Sequence, residues 1–212
     1  MGKFRFQLTQ RVINKSLARL AERDVRIAKA LEEVGYPKER RRAQGFAALA
    51  HIIVGQQVST HAARAITERL IATVGGALTP EAVSNSDDVA LKSAGLSRQK
   101  VSYLRSLTAA VRSGSLPVDS LHDLTDAEVV SRITAIKGFG EWSAHMYLMF
   151  ALGRLDIWPT GDLAVRAGFA QIMALDERPT PAQTREFAES FSPCRSALAL
   201  LCWKVYSEAP LP

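Results

Sequence analysis

Apolar residues recur along most of the chain at the three- and four-residue spacing of an amphipathic helix. The first such run lies between Ser16 and Gly35, and a second begins at Phe46 and reaches Gly55. Residue types that favour the N-cap position of a helix precede the later runs: Ser59, Thr79, Ser86-Asp87, Ser97 and Thr125, which forms a capping box with Glu128. Further helices are expected to begin near Trp142, Leu163, Ala182 and Arg195. No segment shows the sustained alternation of a β-strand. The pattern predicts an all-α protein of about ten helices joined by short connections.

The composition is that of an ordinary globular protein, with 212 residues of which 47% are hydrophobic and 23% charged. No run approaches the roughly 18–20 apolar residues of a membrane span, and the basic N-terminus lacks the apolar stretch of a secretory signal. Two cysteines exclude a four-cysteine iron–sulfur cluster and indicate a reducing compartment. Cys194 and Cys202 are too far apart along one helix for a disulfide.

Charge and histidine spacing narrow the kinds of site to expect. The four histidines are dispersed and have no metal-site spacing, so no metal bound by side chains is expected. The net charge of +6 favours a polyanionic partner.

Two glycines flank one apolar residue in the segment Ile136-Lys137-Gly138-Phe139-Gly140, which lies between two helical runs. Glycines permit a tight turn with positive φ, and Phe139 can fill the angle between the helices. The backbone N–H groups of the turn then face outward, where they and the helix dipole bind a phosphate oxygen. The spacing favours a helix-hairpin-helix, a grip on the DNA backbone that reads no sequence. A plain corner between two helices is the alternative.

Three segments accompany the hairpin in a fixed order. They are Ile52-Ile53-Val54-Gly55-Gln56-Gln57-Val58-Ser59, then Gly95-Leu96-Ser97-Arg98-Gln99-Lys100, and, after the hairpin, Trp158-Pro159-Thr160-Gly161-Asp162-Leu163. Together with the hairpin they resemble the signatures of the HhH-GPD superfamily of DNA glycosylases. The similarity is greatest to the 3-methyladenine DNA glycosylase II group, which removes alkylated bases, and it covers residues 45–205.

The resemblance implies two helical lobes. One is expected over residues 44–158 and carries the helix-hairpin-helix at 133–152. The other combines residues 1–43 with 159–212 and carries Asp162 at its edge, in the cleft between the lobes. The N-terminal β domain of some longer relatives is not expected in this chain.

Asp162 matches the essential aspartate of the resembled family. Cleaving a base from deoxyribose builds positive charge on the sugar, as in glycoside hydrolysis. A fixed carboxylate beside that sugar stabilises the charge and can orient or deprotonate water. Asp162 also precedes a helical run, so a role as helix N-cap is expected too, and the two roles are compatible. Glu141, the other acid near the hairpin, is interpreted as a surface residue.

The resemblance also indicates which reaction follows. In relatives that cut the DNA strand, the position of Trp142 holds a lysine, whose amine attacks the sugar and forms a Schiff base. Trp142 has no amine, so we expect a monofunctional glycosylase that removes alkylated purines of the 3-methyladenine type and leaves an abasic site. Two alternatives stay open: a glycosylase for a deaminated, oxidised or etheno purine, and a helix-hairpin-helix protein that binds DNA without catalysis.

The target base must leave the stack to be reached, and a side chain must fill the gap. The resemblance places that wedge at the turn of Gly55, Gln56 and Gln57, with Gln57 preferred; two glutamines making surface hydrogen bonds are the alternative. Further DNA contacts are expected from charge and resemblance, although each cation is also explained as a solvated surface charge. The expected contacts are Gln56, Ser59, Arg64, Arg98, Lys100, Lys137, Gly138, Phe139, Gly140 and Arg166.

A cationic, electron-poor base calls for stacking on aromatic faces. The expected pocket residues are Phe46, Trp142, Met146, Tyr147, Trp158, Leu163 and Cys194. Trp203 is a further candidate, although a tryptophan on such a helix is more often a core residue. Met146, Leu163 and Cys194 stand where relatives hold aromatic residues, which leaves the range of lesions open.

The expected partner is double-stranded DNA with a damaged base, bound by a monomer away from membranes. No cofactor is required, although the resemblance allows a monovalent cation at the hairpin carbonyls near Ile136 and Phe139. The expected location is the bacterial cytoplasm at the nucleoid, or the nucleus in a eukaryote.

Overall fold

The computed structural model describes residues 5–208, and within that range every regular element is helical. The all-α prediction is therefore confirmed, with twelve α-helices in the described range where about ten were expected. The helices are α1 (Gln10–Ala21), α2 (Val25–Val34), α3 (Phe46–Gly55), α4 (Thr60–Thr73), α5 (Pro80–Asn85), α6 (Asp88–Ser93), α7 (Arg98–Arg112), α8 (Asp126–Thr134), α9 (Glu141–Phe150), α10 (Leu163–Ile172), α11 (Pro181–Glu189) and α12 (Arg195–Glu208). A short 3-10 turn at Leu121–Asp123 precedes α8.

The run between Ser16 and Gly35 forms two helices rather than one. Asp24 has an extended backbone, and its side chain accepts a hydrogen bond of 3.0 Å from the backbone N–H of Arg26. α1 ends at Ala21, and the N-cap at Asp24 begins α2 as a separate helix. The expectation of one helix was wrong because an apolar face can continue across a capped break in the backbone.

The predicted N-caps are confirmed elsewhere. Ser59, Thr79, Ser97 and Thr125 each accept a hydrogen bond from the backbone N–H three residues further on. Glu128 completes the capping box by accepting from the backbone N–H of Thr125 at 2.8 Å. Each cap contributes about 1 kcal/mol and fixes where its helix begins.

The chain folds into two compact units. One, the hairpin unit, is Arg42–Tyr147; the other, the aspartate unit, combines Met1–Arg41 with Leu148–Pro212, of which residues 5–41 and 148–208 are described. The predicted second boundary was 158, whereas residues 148–158 pack with the aspartate unit. Residues 1–4 and 209–212 of the predicted second lobe lie outside the described residues.

The aspartate unit is built on the packing of α10 against α12. Gly168 of α10 lies directly against the backbone carbonyl of Cys202, where a Cβ would find no room. Residues 196–202 of α12 are all buried, and Cys194 and Cys202 are both buried free thiols. Burial raises the pKa of the Cys202 thiol. Between residues 5 and 208, no helix is long and apolar enough to cross a membrane.

Candidate active site

Asp162 is the N-cap of α10 in the aspartate unit, and its side chain is held at two points. Its Oδ1 accepts a hydrogen bond of 2.9 Å from the backbone N–H of Val165 and one of 3.1 Å from Nε1 of Trp203. Its own backbone N–H donates to the carbonyl of Pro159 at 2.9 Å. The carboxylate is half-buried, and these contacts fix its orientation.

Trp203 stands 41 residues after Asp162, and its contact with the carboxylate was not foreseen. The ring is half-buried on α12, tilted against Phe150 with ring centroids 5.7 Å apart. The guanidinium of Arg40 lies 5.8 Å from the ring centroid of Trp203. The only sequence signal for this role is that a buried indole N–H needs an acceptor.

The loop that leads to Asp162 is tied to the start of α12. Asp156 receives three hydrogen bonds from Arg195, from Nε at 2.8 Å, from Nη2 at 2.7 Å and from the backbone N–H at 3.3 Å, and a fourth from Ser192 Oγ at 2.8 Å. Ser196 Oγ donates to the carbonyl of Arg154 at 2.8 Å and accepts from the backbone N–H of Ile157 at 2.9 Å. These contacts hold residues 154–157 in place ahead of the turn that presents Asp162.

Burial alone would raise the pKa of Asp156, but the hydrogen bonds from Arg195 and Ser192 outweigh burial and lower it below its ordinary value. The pKa of Arg195 is raised in turn, chiefly by its hydrogen bond to Asp156.

We expect Asp156→Asn to lower the free energy of unfolding by about 2 kcal/mol at pH 7, since hydrogen bonds to a charged group are lost. Because the folded-state pKa of Asp156 is depressed, this stabilisation is fully present above the unfolded pKa of about 4 and is lost as pH falls through the folded pKa. Urea unfolding of wild type and variant at pH 7, 5 and 3 measures the difference, which should shrink at the lowest pH. Asp176→Asn, at an exposed position of the same unit, is the control and should show no difference. A difference that stays constant with pH would contradict the role of Asp156.

The predicted hairpin joins α8 to α9 in the hairpin unit, and its two glycines have different roles. Gly138 has φ +97°, and a Cβ there would overlap the ring of Tyr103 on α7. A Cβ on Gly140 would meet none of the described residues within 4 Å. Phe139 between them is buried, and its N–H donates to the carbonyl of Ile136 at 3.1 Å. Gly138 is required by the fold, whereas Gly140 leaves open space at the surface of the turn.

The turn between α3 and α4 lies against the hairpin. Gln56 Nε2 donates to the carbonyl of Gly138 at 2.9 Å, so Gln56 holds the two turns together. Gln57 is exposed and has φ +56°, one of two described residues other than glycine with positive φ. Such a conformation costs about 1 kcal/mol or more, and strain of this kind is typical of functional positions.

Several residues predicted to contact DNA are engaged within the protein. Lys100 Nζ donates to the carbonyl of Val54 at the end of α3 at 2.7 Å, and burial lowers the pKa of Lys100. Arg166 Nη1 donates to the carbonyl of Pro179 at 3.1 Å, and Arg64 pairs with Glu68. Arg98 and Lys137 are exposed. Ser59 is the N-cap of α4.

Most of the predicted pocket residues are core residues of their own unit. Tyr147 is 0% exposed, its hydroxyl accepts from the backbone N–H of Gly45 at 3.1 Å, and burial raises its pKa. Trp158 is buried with its ring edge-on to Phe169. Phe46, Met146 and Cys194 are buried as well. These positions correct the prediction, since stacking a base requires an exposed ring face.

Two predicted pocket residues keep an accessible surface. Leu163, directly after Asp162, is 48% exposed, and Trp142, in the first turn of α9, is half-buried. The sequence pattern could not separate them from the core residues, because an amphipathic face contains both.

The chain offers no side-chain metal cluster in its described part: no three His, Cys, Asp or Glu residues come together there. At the hairpin, the carbonyls of Ile136 and Gly138 each already accept one hydrogen bond. A carbonyl oxygen has two lone pairs, so each of these groups can accept one further contact.

The chain is similar in sequence to curated DNA glycosylases. A 30% identical protein over 191 residues is DNA-3-methyladenine glycosylase 1 of Schizosaccharomyces pombe, with 89% of this chain and 84% of that protein covered. The DNA-3-methyladenine glycosylase 2 of Escherichia coli is 28% identical over 170 residues, covering 76% of this chain and 56% of that protein.

Solved structures of 3-methyladenine DNA glycosylases have a similar fold. The S. pombe 3-methyladenine DNA glycosylase Mag1, in complex with abasic DNA, superposes with a TM-score of 0.83 at 30% identity, covering 90% of this chain and 95% of that one. A DNA-3-methyladenine glycosidase from Bacillus halodurans gives a TM-score of 0.78 at 32% identity, covering 92% of this chain and 89% of that one.

The profile of the HhH-GPD superfamily base excision DNA repair proteins matches residues 50–194, which include the α3–α4 turn, the hairpin and Asp162. The predicted resemblance is confirmed. The chain belongs to the HhH-GPD superfamily of base excision DNA repair proteins.

Proposed function

We propose that this protein is a monofunctional DNA glycosylase that hydrolyses the N-glycosidic bond of alkylated purines of the 3-methyladenine type. The observation that carries the proposal is the Asp162 carboxylate, whose Oδ1 is fixed by the backbone of Val165 and by Nε1 of Trp203. The names of its S. pombe and E. coli relatives support the choice of substrate.

The chemistry needs few groups. An alkylated purine carries a positive charge and departs without a strong acid, so the difficult part is the cationic sugar that it leaves behind. A carboxylate held in one orientation stabilises that charge without reorganising, and it can align the attacking water. Trp142 lacks the amine that a Schiff base needs, so the reaction ends at an abasic site.

A panel of duplexes tests this function. We expect release of 3-methyladenine and 7-methylguanine, little release of hypoxanthine or 1,N6-ethenoadenine, and strand breaks only after alkali. Release of only hypoxanthine or ethenoadenine would assign the protein to another lesion. Strand cleavage without alkali, or a covalent complex trapped by borohydride, would contradict the monofunctional assignment. DNA binding without release of any base would indicate a non-catalytic protein.

Trp203→Phe should lower the single-turnover rate of base release by about tenfold, which corresponds to about 1.4 kcal/mol. The variant removes the Nε1 donor to Asp162 while keeping an aromatic ring beside Phe150. Affinity for abasic DNA should stay unchanged, since only the carboxylate loses a contact.

Trp158→Phe is the matched control. Nε1 of Trp158 is buried in the same unit and has no hydrogen-bond partner among residues 5–208, so its removal should leave the rate unchanged. Equal losses of rate in the two variants would show that ring volume, rather than the hydrogen bond to Asp162, is responsible.

Gln57 is the proposed wedge that fills the gap left by the flipped nucleotide. Gln57→Gly keeps the positive φ without strain and removes the side chain. We expect about a tenfold slower release from duplex DNA and a smaller loss from single strands, where less unstacking is needed. The control is Ala174→Gly, at the other described non-glycine residue with positive φ (+51°), which should not change the rate. Equal losses on both substrates would exclude a wedge.

Three further properties belong to the same proposal. The substrate is a damaged base in duplex DNA, met by a monomer at the nucleoid or in the nucleus. A monovalent cation at the hairpin would be held by carbonyls near Ile136 and Phe139 and would supply positive charge to a DNA phosphate. The hairpin backbone itself supports phosphate binding through the N–H groups of the turn and of the first turn of α9.

A further inference from the structure

A basic strap lies between α2 and α3, and only the contact of its Arg40 with Trp203 has been described above. We use this name for residues 37–41, Pro37-Lys38-Glu39-Arg40-Arg41, all within the aspartate unit. Lys38, Arg40 and Arg41 are exposed, whereas Pro37 is buried. Three cations in four residues otherwise repel one another, so their placement needs an external anchor.

Gln10, at the start of α1, is that anchor. Its side chain accepts from the backbone N–H of Glu39 at 2.8 Å and donates to the carbonyl of Pro37 at 3.0 Å. The carboxylate of Glu39 accepts in turn from the backbone N–H of Gln10 at 2.8 Å. The one acid of the strap is therefore engaged at the N-terminus of a helix, and the outward charge of the strap is positive.

Two ring contacts fix where the cations stand. Arg41 lies over the buried ring of Phe6, 5.0 Å from its centroid, and Arg40 lies 5.8 Å from the centroid of Trp203. Trp203 is the residue that donates to Asp162 at 3.1 Å. Trp203 thus contacts both the guanidinium of Arg40 and the carboxylate at which the reacting sugar would lie.

We propose that the basic strap binds DNA phosphates of the strand that carries the flipped nucleotide, through Arg40 and Arg41. The inference rests on the proposed function, which brings the sugar of that nucleotide to Asp162. A phosphate lies on either side of that sugar in the strand. Ring stacking uses the flat face of a guanidinium, whereas a phosphate is bound by its N–H edge, so the two contacts are compatible.

Salt dependence of DNA binding tests the strap. The affinity of wild type and of Arg40→Gln/Arg41→Gln for a duplex with a tetrahydrofuran abasic analogue is measured by fluorescence anisotropy over a range of KCl concentrations. Each phosphate contact adds about 0.9 to the slope of log affinity against log salt, so the double variant should lose about 1.8. It should also bind about tenfold more weakly at 0.1 M KCl.

Two comparison variants separate a contact from other effects. Lys15→Gln/Arg19→Gln removes two exposed cations of α1 in the same unit and should leave the slope unchanged. Arg40→Lys keeps the charge, so it should keep the salt slope. If Arg40 only positioned Trp203, its substitution would change the rate of base release and leave the salt slope unchanged.

The outcomes are distinct. An unchanged slope in Arg40→Gln/Arg41→Gln, or an equal loss in Lys15→Gln/Arg19→Gln, overturns the proposal for the strap. Wild-type base release measured in parallel tests the proposed function separately: a protein that releases the base yet shows no strap effect keeps its function and loses only this inference.

Discussion

Asp162→Asn is expected to lower the single-turnover rate of base release by at least about a hundredfold, the scale seen when one electrostatic contact to a transition state is removed. Asparagine has the shape of aspartate and no charge. Its Oδ1 can still accept from the N–H of Val165 and from Nε1 of Trp203, so the geometry of the site is retained. What is lost is the negative charge that faces the developing cation.

Stability should hardly change, because asparagine is as good an N-cap as aspartate. Thermal unfolding and affinity for abasic DNA are the accompanying measurements, and both should stay close to wild type. Asp87→Asn is the matched control: Asp87 caps α6 in the hairpin unit with a hydrogen bond of 2.7 Å to the N–H of Ala90. Asp87→Asn also replaces a capping aspartate by asparagine, and we expect no loss of the rate of base release. An Asp162→Asn protein that releases the base at the wild-type rate would refute the assignment of Asp162.

Gly138→Ala should destabilise the hairpin unit by about 2–3 kcal/mol and weaken binding to DNA. The added methyl group would overlap the ring of Tyr103, and φ at this position is +97°, a conformation that alanine avoids. Urea unfolding and anisotropy on abasic DNA measure the two effects. Removing the clash in Gly138→Ala/Tyr103→Ala tests the cause. Gly138→Ala should cost less stability in the Tyr103→Ala background than in wild type, and the cost that remains, about 1 kcal/mol, should come from backbone strain.

Gly140→Ala is the control within the same turn. No atom of the described part of the chain lies within 4 Å of the position that its Cβ would take, so we expect a stability change of no more than about 0.5 kcal/mol. Affinity for DNA should still fall, since a methyl group on the exposed turn would stand between the backbone N–H groups and a phosphate. Equal destabilisation by both substitutions would contradict the distinct roles of the two glycines.

The elements of the fold were largely predictable because their signals are local. A cap such as Thr125 acts on the N–H three residues further on, and the sequence contains both partners side by side. The exception, the break at Asp24, shows the limit of this reasoning. The apolar face continues through it, and the decisive hydrogen bond is made by one short side chain to the backbone two residues away.

The predicted pocket shows a different limit. Tyr147, Trp158 and Phe46 were chosen for their aromatic rings, and the fold places all three in the core. An aromatic residue that packs a core and one that binds a ligand have the same periodicity on a helix. Which of them keeps a free face depends on what packs against the helix, and the neighbours come from distant parts of the chain.

The sequence by itself determined most of the helices, the family, the hairpin and Asp162 as the candidate acid, because each of these is indicated by short local motifs. Tertiary structure decided which groups hold that residue and which surround it. Trp203 donates to Asp162, 41 positions before it, and Gln56 donates to Gly138, 82 positions after it. Lys100 donates to the carbonyl of Val54 at a helix end, 46 positions before it. Such contacts depend on how the helices pack, and no local sequence pattern predicts them.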